Sequence, residues 1–218
     1  MTTIAEQVNE VKAASATRLP GEVVAVFASD QAALAEQGIP AGAVAVGDKI
    51  APFALPDASG QIRTLEELTA DGPAVIVFYR GGWCPYCNVM LRTYQRDLVP
   101  ELAGYSARLV AISPETPDAS LSTQEKAELS YTVLSDTGVQ VASKLGITFE
   151  PSEEGLAAQR TLGVDIRTTR GDGGTVLPMP TVLIVDSDRI VRFADIHPDY
   201  TGRTEVSDIL AALQRLPG

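Results

Sequence analysis

Apolar positions along this chain follow two rhythms, and the change between them divides it. Near the amino terminus Ile4, Val8 and Val11 recur at the spacing of one helix face, just behind Thr3 and Glu6. Thr3 with an acidic residue three positions later is a capping box, so a helix is predicted to start there. A second helix is predicted to start after Ser29 and to stop at Gly38, with Pro40 just beyond, because these are cap and breaker residues. Residues 39–48, IPAGAVAVGD, read as a linker. From Gly47 onward the rhythm becomes short continuous apolar runs between helical stretches. Val75–Tyr79, Leu109–Ile112, Thr181–Asp186 and Ile190–Phe193 have the length and composition of buried strands, and turn residues surround the short segment Phe53-Ala54-Leu55. Cys84–Leu98, Pro117–Ser130 and Thr137–Leu145 read as helices, as does the stripe Val206, Ile209, Leu210 and Leu213. Residues 150–174, rich in Gly, Thr and charge, read as an insertion or long loop. Strands alternating with helices, closed by a hairpin and a helix, predict an α/β fold.

Composition narrows what such a fold could serve. The formal charge of −11 repels phosphate backbones and anionic lipid surfaces, so neither nucleic acid nor a membrane is an expected partner. The first residues lack a basic segment followed by an uninterrupted apolar one, and no run approaches bilayer length; a soluble, cytoplasmic protein is expected. An acidic chain with an amphipathic extension is compatible with a homodimer.

The candidate chemistry lies in VIVFYRGGWCPYC, residues 75–87, which holds both cysteines of the chain. A buried strand, a glycine pair that allows a tight turn, and then Cys84 at the first turn of a helix make a site for an anion. Free backbone N–H groups and the positive helix end favour a thiolate there, and Arg80 can add a full charge. Cys84 should therefore ionise more readily than a free thiol. Pro85 suits an early helical position, and Cys87, one turn on, is within disulfide reach and should be the more buried partner. The order of events would be attack by Cys84, a mixed disulfide or sulfenic acid, and resolution by Cys87 as an internal disulfide. Two cysteines and the single His197, remote in sequence, do not make a zinc site, and no cofactor is expected. An inert buried pair is the bland alternative. Trp83 could shield the sulfur and form a docking surface or be a packed aromatic; Tyr86 is placed to tune access; His197, Asp136 and Asp186 suit turns.

In Leu177-Pro178-Met179-Pro180-Thr181 a proline directly precedes a buried strand. This resembles the cis-proline that faces the C-x-x-C of thioredoxin-fold proteins, so a cis Met179–Pro180 bond is expected, leaving the preceding backbone free to pair with a substrate strand. Residues 47–57, GDKIAPFALPD, then VIVFYRGGWCPYC, then Thr132-Val133-Leu134-Ser135-Asp136, are similar to the alkyl hydroperoxide reductase/thiol-specific antioxidant family, and more narrowly to a peroxiredoxin-like branch with a C-x-x-C. CPYC itself resembles the glutaredoxin sequence. The resemblance implies a thioredoxin-like fold over residues 47–218 behind a helical extension, residues 1–46. It also implies reduction of hydroperoxides by a thiolate that a thioredoxin- or glutathione-type partner later restores. Cys84, Cys87 and Arg80 would be catalytic; Trp83, Pro85, Tyr86, Met179 and Pro180 would contact substrate. One departure is visible: peroxiredoxins carry Pro-x-x-x-Thr/Ser-x-x-Cys, and here Val77 and Gly81 stand at the Pro and Thr/Ser positions. Attack on an O–O bond puts charge on the leaving oxygen, so a missing hydroxyl donor leaves Arg80 and backbone N–H groups to stabilise it. A thioredoxin- or glutaredoxin-like disulfide reductase, and a non-catalytic binding protein that senses the cysteine redox state, are the alternatives.

Overall fold

A computed structural model describes residues 2–216. Its first helix, α1 (Ile4–Arg18), opens with both halves of the expected capping box: the Glu6 N–H donates to Thr3 Oγ1 at 3.1 Å and the Thr3 N–H to Glu6 at 2.8 Å. The second, α2 (Gly21–Gln37), begins well before Ser29, directly behind Pro20, and ends as expected at Gly38, whose φ is 68°. The early start has a plain cause. Pro20 already has a helix-compatible φ of −56°, Gly21 falls at the first helical position and nothing from Glu22 to Ser29 breaks a helix, and Val23 and Leu34 are buried along it.

The next strands, β1 (Ala54–Pro56) and β2 (Ile62–Thr64), pair antiparallel, and Thr64 with Glu67 forms a second capping box for α3 (Leu65–Thr69). Strand β3 (Ala74–Phe78) leads into α4 (Pro85–Thr93), a π-helical turn over Tyr94–Leu98, α5 (Val99–Leu102) and a 3-10 turn over Ala103–Tyr105. Then come β4 (Arg108–Ser113), α6 (Pro117–Lys126), β5 (Thr132–Ser135), α7 (Gln140–Lys144) and β6 (Thr148–Phe149). Residues 150–174 are a correction to the loop reading, because they hold α8 (Glu153–Thr161) and α9 (Ile166–Arg170). Ser152 and Asp165 cap these helices through Gly155 and Arg167 N–H groups, and a Cβ at Gly155 would sit 2.1 Å from Asp30, so α8 packs tightly on α2. Short helices this polar present little apolar periodicity. The chain closes with β7 (Leu177–Pro178), β8 (Thr181–Val185), β9 (Val191–Ile196) and α10 (Val206–Leu213).

The central sheet has the order β5-β4-β3-β8-β9, with β3, β4 and β5 parallel and β8 pairing antiparallel with both β3 and β9. Every residue of β3 is buried, and its side chains alternate between two cores. Ala74, Ile76 and Phe78 enter one, with Val110, Ile112 and Leu183; Val75 and Val77 enter the other, with Leu109, Ile184 and Ile209. Ile4 and Val8 of α1 belong to that second core, as do Cys84 and Cys87. The amino-terminal helix is thus packed into the same body as the cysteines.

Candidate active site

Strand β3 delivers the cysteine turn from the carboxyl end of the sheet, where α/β folds place their sites. Gly81 there has φ 145°, and a Cβ on it would come within 2.4 Å of Trp83 Nε1. That excludes the threonine or serine of the family pattern on conformation and on space. Cys84 is the N-cap of α4 with Pro85 at its first position, as the sequence suggested.

Both sulfurs are completely buried, so Cys87 is not the more hidden of the two. Two arginines reach them. Arg80 Nη1 lies 3.8 Å from Cys84 Sγ, and Arg203 Nη2 lies 3.9 Å from Cys84 Sγ and 3.2 Å from Cys87 Sγ. Burial opposes ionisation of Cys84, but the Cys87 thiol, the Arg80 and Arg203 charges and the Cys87 backbone N–H together hold its pKa well below that of an ordinary thiol. Cys87 is driven the other way, by burial and by the neighbouring Cys84 sulfur, and stays protonated. One thiolate beside one thiol is the arrangement a nucleophile and its resolving partner need.

Arg80 is buried and held by π-faces, its guanidinium carbon 4.0 Å from the Tyr200 ring centroid, 4.7 Å from Trp83 and 5.8 Å from Phe149. Arg203 is fixed by its own segment, where its Nη1 donates to the Tyr200 and Gly202 carbonyls, and Tyr94 Oη donates to the Thr204 carbonyl at 2.7 Å. Across the turn, buried Glu115 accepts the Gly82 N–H at 2.8 Å. Burial and the Cys84 sulfur push the Glu115 carboxyl upward, while the Gly82 N–H partly offsets them. Tyr86 is half-buried, and burial, with the Cys84 charge, pushes its phenol up to about 12.

The carboxyl end of β7 corrects the proline expectation. No peptide bond among the described residues is cis, and Met179–Pro180 is trans. The backbone here runs extended into β8 and is already partnered: β7 pairs with β6, the Met179 N–H donates to the Ile147 carbonyl at 2.7 Å, and the Pro180 carbonyl accepts the His197 N–H at 2.9 Å. The chain's own β6 occupies the edge where a substrate strand was expected. Buried Met179 belongs to the core against which Trp83 and Tyr86 pack, and neither Met179 nor Pro180 lines the cavity beside the cysteine turn. His197 lies just beyond β9, 3.1 Å from Asp195, and Asp136 caps α7 through the Val141 and Ala142 N–H groups.

Sequence reasoning missed Arg203, Tyr200 and Glu115. Arg203 and Tyr200 carry no local signal, since only tertiary folding brings Asp199–Thr204 beside the turn. Glu115 lies two residues past β4, at the carboxyl end of the parallel strands, a position that could have flagged it.

The AhpC/TSA family matches over residues 46–194. The chain belongs to the AhpC/TSA family. A Mycobacterium tuberculosis (strain H37Rv) protein assigned to the peroxiredoxins is 31% identical over 146 residues, 66% of this chain and 80% of the relative. The crystal structure of the peroxidoxin BcpB from Mycobacterium tuberculosis superposes with a TM-score of 0.62 at 26% identity, covering 79% of this chain and 98% of that one. A thiol peroxidase from Chromobacterium violaceum, 15% identical with a TM-score of 0.60 over 79% of this chain and 87% of that one, shares the fold. This AhpC/TSA protein is therefore a peroxiredoxin-like thioredoxin-fold chain, and Tyr200 and Arg203 lie beyond the span its family matches.

Proposed function

We propose that the protein is a thiol-dependent hydroperoxide reductase in which Cys84 is the nucleophile and Cys87 resolves it. The Cys84 thiolate attacks the terminal oxygen of ROOH; the S–O bond forms, the O–O bond breaks, and RO⁻ takes a proton to leave as the alcohol. Cys87 then attacks the sulfenic sulfur, its proton joins the departing hydroxide as water, and a Cys84–Cys87 disulfide remains. Two electrons and two protons from an external thiol restore the pair. Arg80 and Arg203 replace the missing hydroxyl as the groups that stabilise charge at the reacting atoms. The observation that carries the reading is the pair of guanidinium groups on one buried sulfur, with the second sulfur held as a thiol.

The reductant is assigned to a thioredoxin- or glutathione-type thiol, and the setting to the cytoplasm, where reducing conditions keep both cysteines free. Among the described residues no helix is long and apolar enough to cross a membrane. Residues 47–218 form the reacting domain in this reading, and residues 1–46 its cover. A protein-disulfide substrate is disfavoured because β6 occupies the backbone edge beside Pro180. The test is to treat reduced Cys87→Ser with one equivalent of peroxide and trap the product. A sulfenic acid on Cys84 in the variant, and a disulfide in the wild type, is the expected pair of results; recovery of an unmodified Cys84 in both contradicts the assignment.

A further inference from the structure

We infer that Glu115 is the proton donor to the oxygen that leaves when Cys84 is oxidised, and that it stands in for the hydroxyl this chain lacks at position 81. This rests on the hydroperoxide-reductase reading and names the source of the proton that the reading requires. A Cβ built on Gly81, the position of the family's threonine or serine, would meet two polar atoms from elsewhere: Trp83 Nε1 at 2.4 Å and Glu115 Oε1 at 3.0 Å. The space that a side chain at 81 would enter therefore already holds an indole N–H and a carboxyl oxygen. Trp83 Nε1 is buried and has no partner, so its hydrogen is unspent. Glu115 is only 4% exposed, and the Gly82 N–H holds its Oε2 at 2.8 Å, which fixes Oε1 beside the turn.

A carboxylic acid in this place can do what an alcohol cannot, which is to give up its proton outright. With Cys84 ionised, a second buried anion nearby is unfavourable, so the proton that leaves the thiol belongs on Glu115. Burial and the Cys84 charge favour the neutral acid, against the Gly82 N–H, Thr123 and Lys126. The other titratable groups that face it are the Tyr79 phenol from β3 and Arg92 of α4. The protons then balance. As the S–O bond forms and the O–O bond breaks, the Glu115 proton passes to RO⁻, leaving the Cys84 sulfenic acid, ROH and the Glu115 carboxylate. Resolution consumes the proton of Cys87, and after an external thiol has reduced the disulfide, Cys84 ionises and Glu115 is protonated again. A cavity of about 340 Å³, lined by Gly82, Asn88, Arg92 and Lys126 as well as Glu115, gives that exchange a path to water.

The experiment compares two small oxidants that differ in their leaving group, following Trp83 fluorescence in stopped flow with reduced protein. Hydrogen peroxide expels hydroxide, which needs a proton; peracetic acid expels acetate, which does not. Glu115→Gln keeps the shape and the acceptor for the Gly82 N–H but has no proton to release. It should slow oxidation by hydrogen peroxide about a hundredfold and leave the peracetic acid rate within about threefold of wild type. Glu115→Asp, which keeps the acid one methylene short, should lower the ratio of the two rates in the same direction by less, and it serves if Glu115→Gln does not fold. A group that merely braces the turn would slow both oxidants alike. An equal loss with both, or an undiminished rate with hydrogen peroxide, overturns the inference and leaves the peroxidase reading standing. Wild type that reacts with hydrogen peroxide no faster than a free thiol overturns both.

Discussion

The cysteine turn and the segment Tyr200–Glu205 meet at the same two sulfurs, and they reach them by opposite means. In the turn everything is local: Gly81 with its positive φ, Cys84 at the helix N-cap, Pro85 at the first helical position and Cys87 one turn on. The later segment is contiguous in sequence and braced locally, but its contacts to the sulfurs, to Arg80 and to α1 are all long-range. Arg203 points at both sulfurs, Tyr200 covers Arg80, and Glu205 accepts the N–H groups of Ile4 and Ala5 at 2.9 and 2.8 Å, tying down α1. In the proposed reaction the turn supplies the reacting atoms, and the segment supplies charge and closure.

The largest expected effect separates reacting atoms from their surroundings. Cys84→Ser should lower peroxide turnover by at least about a thousandfold without unfolding the protein, measured by peroxide consumption. Next comes the segment's charge. Arg203→Met removes a cation from a thiol whose pKa is depressed, so that pKa should rise. Because the thiolate exists above its pKa and is lost as pH falls through it, the acid limb of the rate profile should move to higher pH, with the neutral-pH rate down by about tenfold to a hundredfold. A wild-type profile in this variant would break the comparison by making the segment mere packing. Gly81→Thr tests the turn itself. It restores the family hydroxyl at a φ of 145°, with the new Cβ 2.4 Å from Trp83 Nε1, and should cost about 2–4 kcal/mol in denaturant titrations with no gain in rate. The smallest effect is Glu205→Gln, expected to cost about 1 kcal/mol through the α1 cap while peroxide kinetics stay unchanged.

The same contrast explains what was legible in the sequence. The strands β3, β4, β8 and β9, the α1 cap and the strand-turn-helix around Cys84 are local patterns, and each is where periodicity and cap residues put it. Residues 150–174 and the start of α2 were misread because polar short helices and a Pro-Gly entry imitate loops. The trans Met179–Pro180 bond was missed for another reason: whether an X-Pro bond is cis depends on its neighbours in space, and here β6 supplies them. Arg203 and Tyr200 lie in a loop after the last strand, where nothing local distinguishes a residue packed on a sulfur from one in solvent.

The central claim is that Arg80 and Arg203 keep Cys84 ionised and ready to attack peroxide. Its most direct test is the pH dependence of the second-order rate of Cys84 oxidation in reduced wild-type protein. The account predicts a rate already at its plateau at neutral pH, falling only at a pH well below the free-thiol value of about 8.5. A rate that climbs steadily through that value, as a free cysteine's does, would contradict it.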